Sequence, residues 1–500
     1  MTAPRSSRVG IGEIALAAPL LLALALAALL VADILSYRGA TALGAFVGEA
    51  LLSPVGVRSL LAALVAGVLA ALWGLAPGAL LASRPRGFVL SLCAAWLAGM
   101  ALPPVFLGGV WSWLLGMGPA PARSDESHLL RWLALSLTWG LSLAPLASLA
   151  VMLALVRVPR GELAAASIYL DQWQRFCIVL WPRVRGGLAL ASCAAAGLAL
   201  LDASTPAHFG VTTVASRAQI EFLSTLETAP AGAVILAPWL AISTLAWGLA
   251  PRDQGPSRAV FLTRAPCSAV IAGSLAVALS VGVPAVTLAW MAGNAAHPSE
   301  LAHHLPETLH SLKCALLGGT AAAFMALLYL ALDARELLPR RGVLAAGGAL
   351  LLIAPGMLAG YATLWLGLRT GAPVTAWWCG FVLRTAPWCV PLILWSGGNS
   401  SLRAAMALGL PARRRVLAAL LDRGPVVGAL AFFAGAAGAL REIEYFAAFS
   451  LPGGETLSAR AAQLLHFGMR PSLSALMLIQ LLLAVAWSFG MSLIARRFGG

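Results

Sequence analysis

Apolar runs about 20 residues long recur along this chain, separated by short gaps that carry most of its charge. A run of that length matches a helix crossing the hydrocarbon layer of a bilayer, where each backbone N–H and C=O must be satisfied within its own segment. The runs fall at roughly 14–35, 59–82, 87–116, 130–156, 186–203 and 230–250. A second set falls at roughly 267–291, 309–332, 343–368, 374–396, 426–446 and 472–495. The pattern predicts an all-α polytopic membrane protein with about 12 spans. Composition agrees, since 60% of the 500 residues are hydrophobic and 10% are charged, too few to coat a soluble domain. The first run follows Arg5 and Arg8 as the core of a signal peptide does, but its length reads as a retained first helix.

The net charge of +14 does not point to nucleic acid, because the basic residues form no dense arm and sit mostly in the gaps. With the N-terminus in the cytoplasm, the gaps on that side hold 22 of the 33 Lys and Arg, which predicts both termini inside. The cysteines are scattered without a C-x-x-C pair and read as small hydrophobes rather than a disulfide or zinc framework. His128, His208, His297, His303, His304, His310 and His466 all fall on the outer side. Their spacing lacks ligand geometry, so they read as solvated loop residues, with no metal site. Trp111, Trp113, Trp377 and Trp378 read as interfacial anchors. The only lysine, Lys313, belongs to no phosphate-binding loop. The chain is therefore expected to carry no cofactor and no catalytic group, and to draw energy from a separate ATPase or an ion gradient.

The two longest cytoplasmic gaps, about 157–185 and 397–425, sit in similar surroundings. Ala164-Ala165 corresponds to Ala404-Ala405 and Asp202 to Glu442, both 240 residues apart. Thr213-Val-Ala-Ser-Arg217 is echoed by Thr456-Leu-Ser-Ala-Arg460, and Pro104 by Pro355. These pairs predict two similar halves of six spans, 1–255 and 256–500, joined near 251–257. Such duplication is typical of transporters.

Glu162-Leu-Ala-Ala-Ala-Ser-Ile-Tyr169, followed by Trp173, Phe176 and Leu180-Trp-Pro182, resembles the E-A-A loop of binding-protein-dependent ABC importer permeases. Leu402-Arg-Ala-Ala-Met-Ala-Leu-Gly409 repeats it. Ala101-Leu-Pro-Pro-Val-Phe-Leu-Gly-Gly-Val110, Leu201-Asp-Ala-Ser-Thr-Pro-Ala-His-Phe-Gly210, Leu440-Arg-Glu-Ile-Glu-Tyr-Phe446 and Leu451-Pro-Gly-Gly-Glu-Thr-Leu457 resemble segments of the fused ferric-iron type. Their order and spacing, from about residue 55 onward, carry the resemblance. It implies an inner-membrane permease subunit, two copies of an ATPase hydrolysing ATP, an extracytoplasmic binding protein, and ferric iron as the leading substrate class.

The loops also have a physical reading. A short helix outside the bilayer, small on one face, can seat in a groove of the ATPase. Ala164, Ala165, Ala404 and Ala405 are expected to supply approachable surface, Glu162 a charge, and Gly409 a tight turn. Tyr169 stands where the first loop's glycine is expected, and φ > 0 is costly for it, which predicts a differently shaped turn. Arg403 occupies an expected acidic position and Asp422 an expected proline.

Asp202 ends the fifth span, and Glu442 and Glu444 end the eleventh, so they are candidates to flank the translocation path. Headgroup-level solvation is the alternative. Arg384, inside the tenth span, is a candidate for the path or for a partner of one of these acids. Arg441 adjoins Glu442, but consecutive helical residues do not face each other, so the spacing does not pair them. Two rival classes remain. A secondary transporter of six plus six spans explains the duplication but not the paired loops, and a membrane enzyme lacks a converging set of catalytic groups.

Overall fold

A computed structural model of the chain describes residues 52–83, 88–117, 125–156, 158, 160–217, 219, 267–293, 304–335, 356–389, 405–449, 454–465 and 469–498. The runs at 14–35 and 230–250 and the junction at 251–257 lie outside these residues. Among the described residues seven helical segments are long and apolar enough to cross a membrane, and an eighth if one bent pair counts as a single span. The chain is a polytopic, all-helical membrane protein.

The first tight bundle combines α1 (Pro54–Ala82), α4 (Asp125–Val156) and α6 (Trp181–Leu200). Ser53 starts α1 by accepting from the Gly56 amide at 3.0 Å, with Pro54 pre-set at the first helical position. Small residues bring the three backbones together, as in helices packed without a solvent-driven hydrophobic force. A Cβ on Gly74 would lie 2.7 Å from the Ala147 Cβ and 2.9 Å from the Ala144 carbonyl.

Between α1 and α4 the predicted third span is not one straight helix. α2 (Phe88–Ala98) tightens into a 3-10 turn at Gly99–Ala101, and α3 (Pro104–Leu114) then leaves at 101°. Pro104 cannot donate to a preceding turn, and Leu102 and Pro103, each preceding a proline, are held extended. α5 (Arg160–Tyr169) follows α4, and α6 continues without a break from Gln172–Arg175 through a π-turn at Phe176–Leu180.

In the second part, α7 (Cys267–Val277) and α8 (Val283–Gly293) form one span through a second π-turn. α9 is Leu305–Ala334. α10 (Gly356–Thr370) turns back through Gly371, at φ +66°, into α11 (Pro373–Thr385). α12 (Ala412–Arg441) packs along α9, where Gly318 and Gly319 face Gly435 and Phe432. α13 (Glu444–Ala448), α14 (Leu457–Leu465) and α15 (Pro471–Phe498) complete the described chain. The described parts of the predicted loops at 157–185 and 397–425 are therefore largely helical, and the helices of the predicted fifth and eleventh spans, α6 and α12, begin inside them. Pro425 lies within α12 without ending it.

Two contacts recur at the corresponding positions read from sequence. Thr213 precedes a helical turn at 214–217 and accepts from the Ser216 amide at 3.2 Å; Thr456 precedes α14 and accepts from the Ala459 amide at 3.2 Å. The next amide bonds a serine on an early span in both cases. Val214 donates to Ser59 at 3.2 Å, and Leu457 to Ser311 at 2.8 Å.

The bent pair is wedged into the second part of the chain. Val105, Phe106 and Val110 pack with Leu288, Ile443, Leu457 and Met477. Ala98 and Ala101 pack against Ala315, Ala436 and Ala437.

Candidate functional site

The corner between α2 and α3 faces the ends of α6 and α12, and charge collects there. α6 stops at Leu200, so Asp202 lies just beyond it in non-helical backbone. Its Oδ1 accepts from the amides of Ser204 at 2.9 Å and Thr205 at 3.0 Å, capping the 3-10 turn Thr205–Phe209. Its Oδ2 accepts from the Trp139 indole N–H at 2.8 Å and from the Thr205 hydroxyl.

α12 stops at Arg441, and Glu442 is extended at φ −70°, ψ 120°. Its Oε1 accepts from the Tyr445 amide at 3.1 Å, three residues on, as Asp202 does from Thr205. Its Oε2 lies 3.0 Å from the Arg384 Nε, with side-chain exposures of 8% for Arg384 and 6% for Glu442. Gly356, at the start of α10, leaves the room that this carboxylate fills, since any Cβ there would strike Glu442 Oε1. Glu444 begins α13, and its Oε1 accepts from the Ala203 amide at 3.1 Å, joining residues 241 apart in sequence.

Pro103, Pro104, Asp202, Arg384, Trp388, Arg441, Glu442 and Glu444 thus line a single cavity of about 70 Å³. An aromatic wall fixes α11 and α13 behind it. The Tyr445 hydroxyl donates to the Trp377 carbonyl at 2.7 Å, the Trp377 indole to the Phe449 carbonyl at 2.8 Å, and Trp377 stacks on Phe381 with centroids 5.6 Å apart. Trp377 is therefore buried in the core rather than exposed as an interfacial anchor.

The four candidate path residues, Asp202, Arg384, Glu442 and Glu444, come together here. The alternative of headgroup solvation does not hold for Asp202 and Glu442, which are 7% and 6% exposed. Sequence reasoning missed Trp139, whose partner Asp202 lies 63 residues away, beyond the end of α6. It also set Arg441 aside on the premise of a continuous helix. That premise fails because α12 ends at Arg441, and the residue lines the same cavity as Glu442.

The loop residues are placed separately. Glu162 lies on α5 and pairs with Arg183 of its own chain at 3.2 Å, in partly exposed surroundings. Ala164 lies on α5, Ala165 is exposed on it, and Tyr169, at its end, is 82% exposed. The chain then re-enters a helix through reciprocal capping, in which Asp171 Oδ1 accepts from the Gln174 amide at 2.8 Å and Gln174 Oε1 from the Asp171 amide at 3.2 Å. The second loop ends differently. Gly409, at φ +64°, donates to the Met406 carbonyl while Leu410 donates to Ala405, a left-handed helix cap that a residue with a Cβ adopts poorly. Ala405 is 4% exposed, so it packs within the chain rather than offering approachable surface, and Leu408, at 75%, projects instead. Arg403 and Ala404 lie outside the described residues, while Asp422 is exposed on α12.

His208 is buried, and His310 packs its ring 6.1 Å from Trp377 and 6.3 Å from Trp378, so neither is a solvated loop residue. Among the described residues no group of three or more His, Cys, Asp or Glu is placed to hold a metal ion.

No family model matches the chain, and neither a curated protein nor a solved structure matches it.

Proposed function

We propose that the chain is the transmembrane permease subunit of an ABC importer, two six-span halves fused in one polypeptide in a cytoplasmic membrane, with both termini inside. The observation that carries this reading is a pair of short helical elements before the fifth and eleventh spans. Each projects apolar side chains: Ile168 and Tyr169 from the first, Met406 and Leu408 from the second. Apolar groups held out in this way suit a protein partner. A separate ATPase in two copies clamps these elements, and its closure moves the halves to open the path alternately to each side. The recurrence of the Ser59–Val214 and Ser311–Leu457 contacts supports two halves built alike. The buried cluster supports a path between them, because ionisable side chains within a bilayer face protein or water. By resemblance, a binding protein delivers the solute, and ferric iron is the leading class.

A second reading, an ion-gradient-driven carrier, draws on the same cluster, since intramembrane carboxylates also serve ion coupling. Co-purification of the tagged chain from mild detergent separates the two. An ATPase at about two copies per chain supports the importer, and its absence under conditions that preserve a known importer overturns it. Tyr169→Asp and Leu408→Asp should each reduce ATPase capture without reducing membrane insertion, and full capture by both would remove the docking assignment.

A further inference from the structure

We propose that Glu444 is a proton-binding site, a carboxyl that holds a proton at neutral pH inside the cavity between the two parts of the chain. The cavity collects three carboxyl groups, Asp202, Glu442 and Glu444, and two guanidinium groups, Arg384 and Arg441. Fully ionised, the five groups leave one negative charge uncompensated. The helix ends at the cavity do not supply the balance. The N-termini of α3 at Pro104 and α10 at Gly356 and the C-termini of α6 at Leu200 and α12 at Arg441 carry partial charges of about half a unit each, two of either sign, which cancel. Among the described residues the further titratable neighbour of Glu444 is Tyr361 of α10, a phenol that adds no positive charge. A buried charge without a partner is costly, and a carboxyl group in that position takes up a proton instead.

Hydrogen bonding decides which acid takes it. Asp202 accepts from an indole, two amides and a hydroxyl, so both of its oxygens are already held by donors. Glu442 has the Arg384 guanidinium on one oxygen and the Tyr445 amide on the other. Glu444 accepts only the Ala203 amide on Oε1, and the proton therefore settles on its second oxygen. The cavity, at about 70 Å³, exceeds the roughly 10–15 Å³ that a single water needs, so a proton can arrive on hydronium and leave a water behind.

The consequence is mechanical. Ala203 adjoins Asp202, so the bond from its amide to Glu444 brings two acids from distant parts of the chain together. With a proton on Glu444 the contact closes without repulsion; without it, Asp202 and Glu442 both oppose it. The site stands whichever energy source drives transport.

Infrared difference spectroscopy of the purified full chain in lipid nanodiscs tests this without a transport assay. The wild type should show a protonated-carboxyl C=O band at neutral pH that shifts in deuterium oxide and disappears on alkalinisation. Glu444→Gln should lose the band while keeping an oxygen for the Ala203 amide; Glu442→Gln, which removes one of the three negative charges, should move its disappearance to lower pH; and Glu162→Gln, outside the cluster, should retain it. A wild type without the band, or a Glu444→Gln variant that keeps it, overturns the assignment. So does a band that falls as Na⁺ replaces a bulky cation at fixed pH, which would mark a metal-ion site. Should Glu444→Gln fail to fold, Glu444→Asp decides, because its band must move from the wild-type position, and an unmoved band refutes the proposal.

Discussion

Replacing Arg384 with methionine tests whether the cluster is held as an ion network. The substitution keeps an unbranched chain of similar length in α11 but removes the guanidinium 3.0 Å from Glu442. Both side chains are more than nine-tenths buried, at 8% and 6% exposure, so water does not readily replace the lost partner. Removing one member of a buried pair costs about 3–5 kcal/mol, mostly the penalty of the orphaned charge. That corresponds to roughly two to four powers of ten in the folding equilibrium. The Tyr445 amide still bonds Glu442 after the substitution, which places the expected loss toward the lower end. Titration of the micelle-solubilised protein with a denaturing detergent, monitored by tryptophan fluorescence, should show the midpoint falling sharply. Adding Glu442→Gln should recover most of the loss, because the uncompensated charge is gone and the amide can still accept from Tyr445. An Arg384→Met variant as stable as the wild type, or a double variant no better than the single one, would refute the reasoning.

Packing sets three further outcomes. Gly74→Val should cost about 1–3 kcal/mol and lower the yield of folded protein on size exclusion, because its Cβ meets the α4 backbone; Gly161→Ala, with nothing within 4 Å, should not. Ser311→Ala should cost about 1–3 kcal/mol by leaving the buried Leu457 amide unsatisfied, and hydrogen exchange at that amide should accelerate. Arg183→Ala should change the unfolding midpoint little, since its pair with Glu162 is about 40% exposed and worth at most about 1 kcal/mol.

Much of the site was legible in residue types and spacing. Asp202, Glu442 and Glu444 stand out because carboxylates are rare in apolar sequence, and the 240-residue offset relates the first two. Tyr169 in place of glycine predicts a turn of another shape, and the two loops do end by different backbone devices. Other elements left weak signals. Pro103-Pro104 marks a break but not its angle, since a proline removes a hydrogen bond without choosing the direction of the next helix. Ala404-Ala405 reads as surface from size alone, yet whether a small residue is exposed depends on which neighbour uses the space.

The sequence by itself determined that this is a chain of membrane-spanning helices, because an unbroken apolar run has no other stable state in hydrocarbon than an internally bonded helix. It also determined where the rare charges lie along the chain relative to its apolar runs. Only the tertiary structure decided that Asp202, Arg384, Arg441, Glu442 and Glu444 share one cavity. Their meeting requires α6 and α12 to end at Leu200 and Arg441, α2 and α3 to bend apart at Pro103, and Gly356 to leave room for a carboxylate. Helix ends and closest approaches of this kind are set by long-range packing, and local sequence carries no direct record of it.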